Sequence, residues 1–259
     1  MKFDFYKYHG TGNDFIIIDN RSGTINLEKD IIEKLCDRHF GVGADGLMFI
    51  ENHPELAFSM RYFNSDGNKS TMCGNGGRCL VSFANSIGII SKNVHFKAID
   101  GLHEATINND GTISLLMGDV KNIQTLENSY FLNTGSPHYI VFEKNIAEID
   151  VFRDGRELRY SNKFGTDGSN INFVEVGNNE LFVRTYERGV ENETLSCGTG
   201  VTASAISASL KLETDKNSWN IKTLGGNLNV KFKKINNQHF TDIWLTGPAV
   251  FVFKGEIDI

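Results

Sequence analysis

The sequence predicts an α+β protein of two similar, pseudo-symmetric domains with the active site in the cleft between them. Three observations carry this reading: an internal repeat, a helix-spaced stretch after each of two Cys-Gly-x-Gly segments, and period-two strands beyond each stretch. The first copy runs Gly12-Asn13-Asp14-Phe15, Cys73-Gly74-Asn75-Gly76, Asp100-Gly101 and Leu116-Met117-Gly118. The second runs Gly135-Ser136-Pro137-His138-Tyr139, Cys197-Gly198-Thr199-Gly200, Gly225-Gly226 and Leu245-Thr246-Gly247. The spacing from Gly12 to Cys73 differs by a single residue from that between Gly135 and Cys197.

Leu80, Ala84 and Ile87 recur at helical spacing in the first copy, as do Val201, Ala205 and Ala208 in the second, so both stretches are expected to be buried helices. Ser70 and Thr71 before the first helix and Ser196 before the second are expected caps, which puts Cys73 and Cys197 at or just before a helix N-terminus. Residues 103–107 and 112–116 alternate as strands about an Asn-Asp-Gly turn, and residues 228–232 and 241–245 form the matching pair. Residues 250–253 make a further strand, expected to pair back onto the first domain. The expected domains are 1–118 with the C-terminal strand 248–259, and 119–247. Only three prolines and no Ser/Gly-rich linker make the boundary, near 118–132, a short ordered crossing.

With 40% hydrophobic and 22% charged residues the chain falls among folded globular proteins and outside the disordered and fibrous classes. A net charge of −6 gives no broad basic field, which argues against nucleic acid as a partner and leaves small molecules. The opening residues lack the apolar core of a secretory signal, and no stretch nears the roughly 18 apolar residues that span a bilayer, so no membrane association and a cytoplasmic location are expected. Four irregularly spaced cysteines argue against a disulfide framework.

Cys73 and Cys197 are the candidate reactive groups. A helix N-terminus favours a thiolate, and the glycine-flanked amides beyond it can hold a carboxylate and the charge that develops on it. Inverting a carbon needs proton removal from one face and delivery to the other, and a duplicated cysteine supplies both groups. Other readings compete. A Cys73–Cys79 zinc or disulfide pair is disfavoured by five intervening residues, Cys36 and Cys79 read as buried structural thiols, and no phosphate-loop pattern occurs. A non-catalytic small-molecule binder or a thiol redox sensor is the alternative from another class, and oxidation joining Cys73 to Cys197 would inactivate an enzyme that uses both. Among seven histidines His138 stands apart, following Gly-Ser-Pro at a landmark of the repeat.

Cys73-Gly74-Asn75-Gly76-Gly77-Arg78-Cys79, Cys197-Gly198-Thr199-Gly200, His9-Gly10-Thr11-Gly12-Asn13-Asp14-Phe15 and Tyr186-Glu187-Arg188-Gly189 together make the chain resemble the diaminopimelate epimerases over nearly its whole length. The resemblance implies interconversion of LL- and meso-diaminopimelate in lysine and cell-wall precursor synthesis, without pyridoxal phosphate, metal or nucleotide. It also implies domains that each wrap strands around a central helix, and commonly a homodimer. By the same resemblance Cys73 and Cys197 match the acid/base pair, and His138 and Glu187 match residues that assist proton transfer. The amides of Gly74, Asn75, Gly198 and Thr199 match those holding the reacting carboxylate. Asn13, Asn64 and Asn170 match polar substrate contacts, and Glu187 with Arg188 matches the pair reading the distal amino-acid end, where an arginine fork suits a carboxylate. Two positions depart from the pattern: Ser136 stands where some members have Asn, and Gly46 where some have Gln, so contacts there are expected to pass to water or another group. The nearest rival is a proline or hydroxyproline racemase of the same architecture, against which the Glu187-Arg188 pair and the asparagines argue.

Overall fold

Phe15, Ile16, Ile17 and Ile18 are all fully buried, although they are consecutive residues of one strand, Asn13–Asp19. Side chains on a strand alternate between faces, so four buried neighbours require cover on both sides. One side is packed by helix α1 (Lys29–Cys36), whose Ile32 and Leu35 join Ile16, Ile18, Leu47 and Phe49 in a core cluster. The other is packed by helix α2 (Gly74–Ser86), and Phe15 reaches toward its first turn at Gly76. The computed structural model describes residues 1–161 and 168–259, and divides the chain into two units: Met1–Leu115 with Gly247–Ile259, and Leu116–Thr246.

In the first unit Lys2–Gly10 turns back on Asn13–Asp19 as an antiparallel pair through Thr11 and Gly12, both at positive φ. Asn13–Asp19 then runs parallel to Gly46–Glu51, with α1 in the crossover, and Gly46–Glu51 is antiparallel to Phe58–Asn64. Phe58–Asn64 is parallel to Asn93–Ala98 across α2, and two antiparallel steps through Gly101–Ile107 lead to Ile113–Met117. The C-terminal strand Val250–Asp258 lies antiparallel on Lys2–Gly10.

The second unit repeats this order of pairings. Ser129–Asn133 is antiparallel to Pro137–Phe142, which runs parallel to Asn170–Val176 with helix α3 (Val151–Arg159) in the intervening chain. Asn170–Val176 is antiparallel to Glu180–Glu187, which runs parallel to Ser218–Thr223 across helix α4 (Gly198–Lys211). Gly226–Asn236 and His239–Gly247 complete the meander. Each parallel step needs a crossover long enough to hold a helix, and so the two units use helices at equivalent places. The α+β class follows. Residues 118–132, expected as a crossing, carry the short strands Val120–Lys121 and Gln124–Leu126 and the start of Ser129–Asn133.

Helices α2 and α4 are the centres of their units. α4 packs against strands that include Pro137–Phe142, Asn170–Val176, Glu180–Glu187 and Ser218–Thr223 and is buried from Val201 to Ser209, which small residues such as Ala203, Ala205 and Ala208 permit by letting strands approach from all sides. Two of its buried hydroxyls are satisfied within the helix, Thr202 donating to the Gly198 carbonyl and Ser204 to that of Gly200, while Ser209 donates to the Lys216 carbonyl and Ser207 Oγ has no hydrogen-bond partner among the described residues. No helix among the described residues is long and apolar enough to cross a membrane.

Candidate active site

Both cysteines are the N-cap residues themselves. Cys73 precedes α2 and Cys197 precedes α4, each with extended backbone and neither with a side-chain cap hydrogen bond. The expected caps Ser70, Thr71 and Ser196 do not serve: Ser70 is drawn into the two-residue strand Lys69–Ser70, and the helices open one residue beyond each cysteine. The amides of Gly74, Asn75, Gly198 and Thr199 therefore lie in first turns, where helical N–H groups have no intrahelical acceptor.

In the first unit the thiol of Cys73 donates to Asn13 Oδ1 at 3.6 Å, and the same oxygen accepts from Asn75 Nδ2 at 3.2 Å. Asn13 is oriented from behind by the Asp45 carboxylate, which accepts from its Nδ2 at 2.7 Å. Asp45 and Asp14 share Arg38, and Asp14 also pairs with Lys7 at 2.6 Å. Burial pushes the Asp14 carboxyl up, but the hydrogen bonds and charges of Arg38 and Lys7 outweigh it and bring its pKa down to about 2. Asn75 is held in turn by Arg78, a fully buried side chain whose Nη2 donates to Asn75 Oδ1 at 2.8 Å and whose Nη1 donates to the Gly74 carbonyl at 3.2 Å. Gly10 makes room for it, since a Cβ there would sit 3.2 Å from Arg78 Nη2 and 3.1 Å from the Asn75 carbonyl. Asn64 stands apart, exposed at the end of its strand opposite Gly46, with its backbone in turn bonds to Asn68 and Gly67.

In the second unit His138 is fully buried, and burial first, with the Arg188 charge second, takes its pKa down to about 3. It is a neutral imidazole at physiological pH. Its Nδ1 faces Asn172 Nδ2 at 3.0 Å, and its Nε2 faces Thr199 Oγ1 at 2.9 Å and Ser136 Oγ at 3.0 Å. Thr199 Oγ1 is 3.4 Å from Cys197 Sγ. Asn170 Nδ2 donates to Ser136 Oγ at 3.2 Å and to the Pro137 carbonyl at 3.0 Å, while its Oδ1 accepts the Arg188 amide at 2.8 Å. Glu187, at the end of its strand, accepts from the Thr194 hydroxyl at 2.8 Å.

A protein-family model described as diaminopimelate epimerase matches residues 5–123 and 130–252. The chain belongs to the diaminopimelate epimerase family. It is 53% identical to a diaminopimelate epimerase of Flavobacterium psychrophilum, over 97% of this chain and 99% of that protein, and 39% identical to one of Chlorobaculum tepidum, over 96% and 99%. Among solved structures, a Bacillus anthracis phenazine biosynthesis protein of the PhzF family aligns over 100% of both chains with a TM-score of 0.80 at 15% identity. A hydroxyproline epimerase from Agrobacterium vitis aligns over 99% of this chain and 92% of its own with a TM-score of 0.71 at 11% identity. These two likenesses establish the shared fold.

Both positions that depart from the diaminopimelate epimerase pattern have a local physical account. Ser136 takes a place in the polar cluster of His138, Thr199 and Asn170. At Gly46 a Cβ would lie 2.6 Å from the Phe63 carbonyl and 2.6 Å from the Tyr62 ring, so the phenol of Tyr62 fills the space a side chain would need. Cys36 and Cys79 are buried thiols whose pKa values burial pushes up to about 12, which makes them inert. Sequence reasoning assigned no role to Arg78, Asn172, Thr185 or Asp45. For Asn172 a signal existed: it lies two residues after Asn170 on a strand, and so faces the same side.

Proposed function

We propose that the chain interconverts LL- and meso-diaminopimelate, with one of Cys73 and Cys197 taking the α-proton as thiolate and the other delivering a proton as thiol. The observation that carries this reading is the matched placement of the two cysteines: each is the N-cap of the central helix of its unit, with first-turn amides beside it. Family membership and relatives named diaminopimelate epimerase supply the substrate class. In this reading the amides of Gly74, Asn75, Gly198 and Thr199 hold the reacting carboxylate and stabilise the charge that grows on it as the proton leaves. Asn13, Asn64, Asn170, Glu187 and Arg188 contact the substrate's polar groups, and Arg188 offers a fork for a carboxylate. Glu187 and His138 act near the sulfurs, and His138, being neutral, works as a hydrogen-bonding group and not as a cation. The chemistry uses the protein's own side chains and backbone amides, without pyridoxal phosphate or a metal, and serves lysine and cell-wall precursor synthesis in the cytoplasm.

The enzyme works as a homodimer in this proposal. The exposed apolar side chains of Val250, Phe251, Val252 and Phe253 support it, each at least 42% accessible. Light scattering that finds only monomer at working concentration would remove that part.

Incubation of LL-diaminopimelate in deuterated water, followed by chiral separation and mass spectrometry, tests the activity. The α-carbon is expected to gain deuterium as the meso isomer appears, with L-proline unchanged. Cys73→Ala and Cys197→Ala are each expected to abolish epimerisation. Full activity in either variant defeats the two-base assignment, and turnover of proline alone defeats the substrate.

A further inference from the structure

Arg188 stands in the turn 188–191 that joins the strand Glu180–Glu187 to the strand Asn192–Thr194, with Glu187 and Asn192 paired across its base. The direction in which Arg188 leaves the backbone is set by the two peptide planes that flank its Cα. Both planes are held by side chains. The Arg188 amide donates to Asn170 Oδ1 at 2.8 Å, and the Gly189 amide donates to Glu191 Oε1 at 3.0 Å. The Glu191 amide closes the turn on the Glu187 carbonyl at 2.8 Å.

Asn170 holds its amide from a paired strand, where His138 is its neighbour. Glu191 lies in the turn itself and needs an anchor of its own. The hydroxyls of Tyr160 and Tyr186 donate to its Oε2 at 2.9 Å and 3.3 Å, and Arg159 Nη2 donates to its Oε1 at 3.4 Å. Tyr186 is buried beneath helix α3, where a Cβ at Gly155 would lie 2.5 Å from the Tyr186 Cβ, so this anchor belongs to the packed interior of the unit. Burial raises the Glu191 pKa, but the Gly189 amide, the Tyr160 hydroxyl, the Arg159 charge and the Tyr186 hydroxyl outweigh it and hold the carboxyl below its ordinary range. The acceptor is therefore a carboxylate, and its hydrogen bonds are the stronger for its charge.

The backbone of Glu191 adds a second observation. Its φ of +56° lies in the left-handed region, which glycine adopts freely and other residues adopt at a cost. For the turn alone a glycine would serve better. A glutamate in that conformation brings a carboxylate to the Gly189 amide at the expense of backbone strain.

We infer that Glu191 is a positioning residue for Arg188: by fixing the Gly189 amide it completes the hold that Asn170 begins, and so sets where the guanidinium meets the distal carboxylate of the substrate. Glu191 acts through the backbone of Arg188, whatever else the guanidinium touches. The same carboxylate also ties α3 to this turn, so the positioning role is separated from a purely structural one by its dependence on Arg188.

The role of Arg188 rests on the epimerase reading, but the hold on the Gly189 amide is measured without substrate. Glu191→Gly keeps the left-handed turn and removes the carboxylate. By nuclear magnetic resonance its Gly189 amide is expected to exchange with deuterated water on the order of tenfold faster than the parent's or more. Glu191→Gln keeps an oxygen for that amide and turns its nitrogen to the tyrosine hydroxyls, which can accept, so its rate is expected to stay near the parent's. kcat/KM for LL-diaminopimelate, read as deuterium incorporation at low substrate, is expected to fall on the order of tenfold or more in Glu191→Gly, through KM with kcat kept within about threefold, and to recover in Glu191→Gln. In an Arg188→Met background Glu191→Gly is expected to cause no further loss. Rates are taken per folded molecule from the urea transition of the same sample, so a poorly folding variant still gives a result. A parental kcat/KM in Glu191→Gly, an equal loss in Glu191→Gln, or the full loss repeated in the Arg188→Met background overturns the inference. Failure of the parent to incorporate deuterium would sink the epimerase reading and leave the amide exchange untouched.

Discussion

Asn172 places its amide nitrogen 3.0 Å from His138 Nδ1, and so fixes the imidazole proton on the far nitrogen, beside Thr199. Asn172→Asp reverses that relationship, because a carboxylate cannot donate and instead draws the proton to Nδ1. Nε2 then becomes an acceptor for the Thr199 hydroxyl, 2.9 Å away. Nitrogen-15 spectra of labelled histidine are expected to show the change from Nε2–H to Nδ1–H. kcat/KM is expected to fall on the order of tenfold or more, because the polar cluster beside Cys197 loses its arrangement. An unchanged tautomer, or a changed tautomer with full activity, would contradict this account.

His138 also gives the fold a pH dependence. Its folded pKa of about 3 lies below its ordinary value of 6.5, so between these limits the unfolded chain binds a proton that the folded chain does not. The stabilisation it contributes is complete above about pH 6.5 and is lost as pH falls toward 3, at a limiting slope of about 1.4 kcal/mol per pH unit. Urea midpoints between pH 7 and pH 4 are expected to fall in the parent and to fall less steeply in His138→Gln. Equal slopes would show that His138 titrates normally.

The parts of this site legible in the sequence are those that short-range chemistry dictates. Cys-Gly-x-Gly followed by helical spacing locates a helix start because glycines and apolar periodicity act over a few residues, and the repeat of that segment yields the two similar units. The capping assignment to Ser70, Thr71 and Ser196 fails for a reason of the same range: pairing of Ser70 with Tyr62 outcompetes a cap, and the helices begin at Gly74 and Gly198. Arg78 was not legible as a buried residue. A charged side chain in a helix reads as solvent-facing, and its burial is created by Gly10 and Pro248, far away in sequence. Asp45 likewise acquires its hold on Asn13 only because residues 15 and 46 become partners on adjacent parallel strands.

Gly46 tests whether the space at that position is fully taken. Gly46→Ala brings a methyl group within 2.6 Å of a backbone carbonyl and of the Tyr62 ring, and the carbonyl belongs to a paired strand that cannot yield. A loss of about 1–3 kcal/mol is expected from overpacking, read as a lower urea midpoint at unchanged slope. Gly118→Ala is the control, since nothing lies within 4 Å of its added methyl, and its midpoint is expected to stay with the parent's. Equal behaviour of the two variants would refute the packing argument.

Arg78 connects stability to the site. Among the described residues no carboxylate forms an ion pair with it; its hydrogen bonds go to the Asn75 side chain and the carbonyls of Gly74 and Pro248. Arg78→Met matches much of its volume but takes this donor away from Asn75 Oδ1 and from the Gly74 and Pro248 carbonyls, and a buried acceptor left unsatisfied costs about 1–3 kcal/mol. Removing an uncompensated buried charge acts in the opposite direction, so the net loss of stability is expected to be smaller than the sum. The activity has no such offset. Asn75 loses the contact that holds it toward Asn13, and with it the first-turn geometry beside Cys73. Deuterium incorporation into diaminopimelate is therefore expected to fall by a larger factor than the unfolding equilibrium shifts at the same temperature. A variant that is destabilised yet fully active once folded would reduce Arg78 to a packing residue.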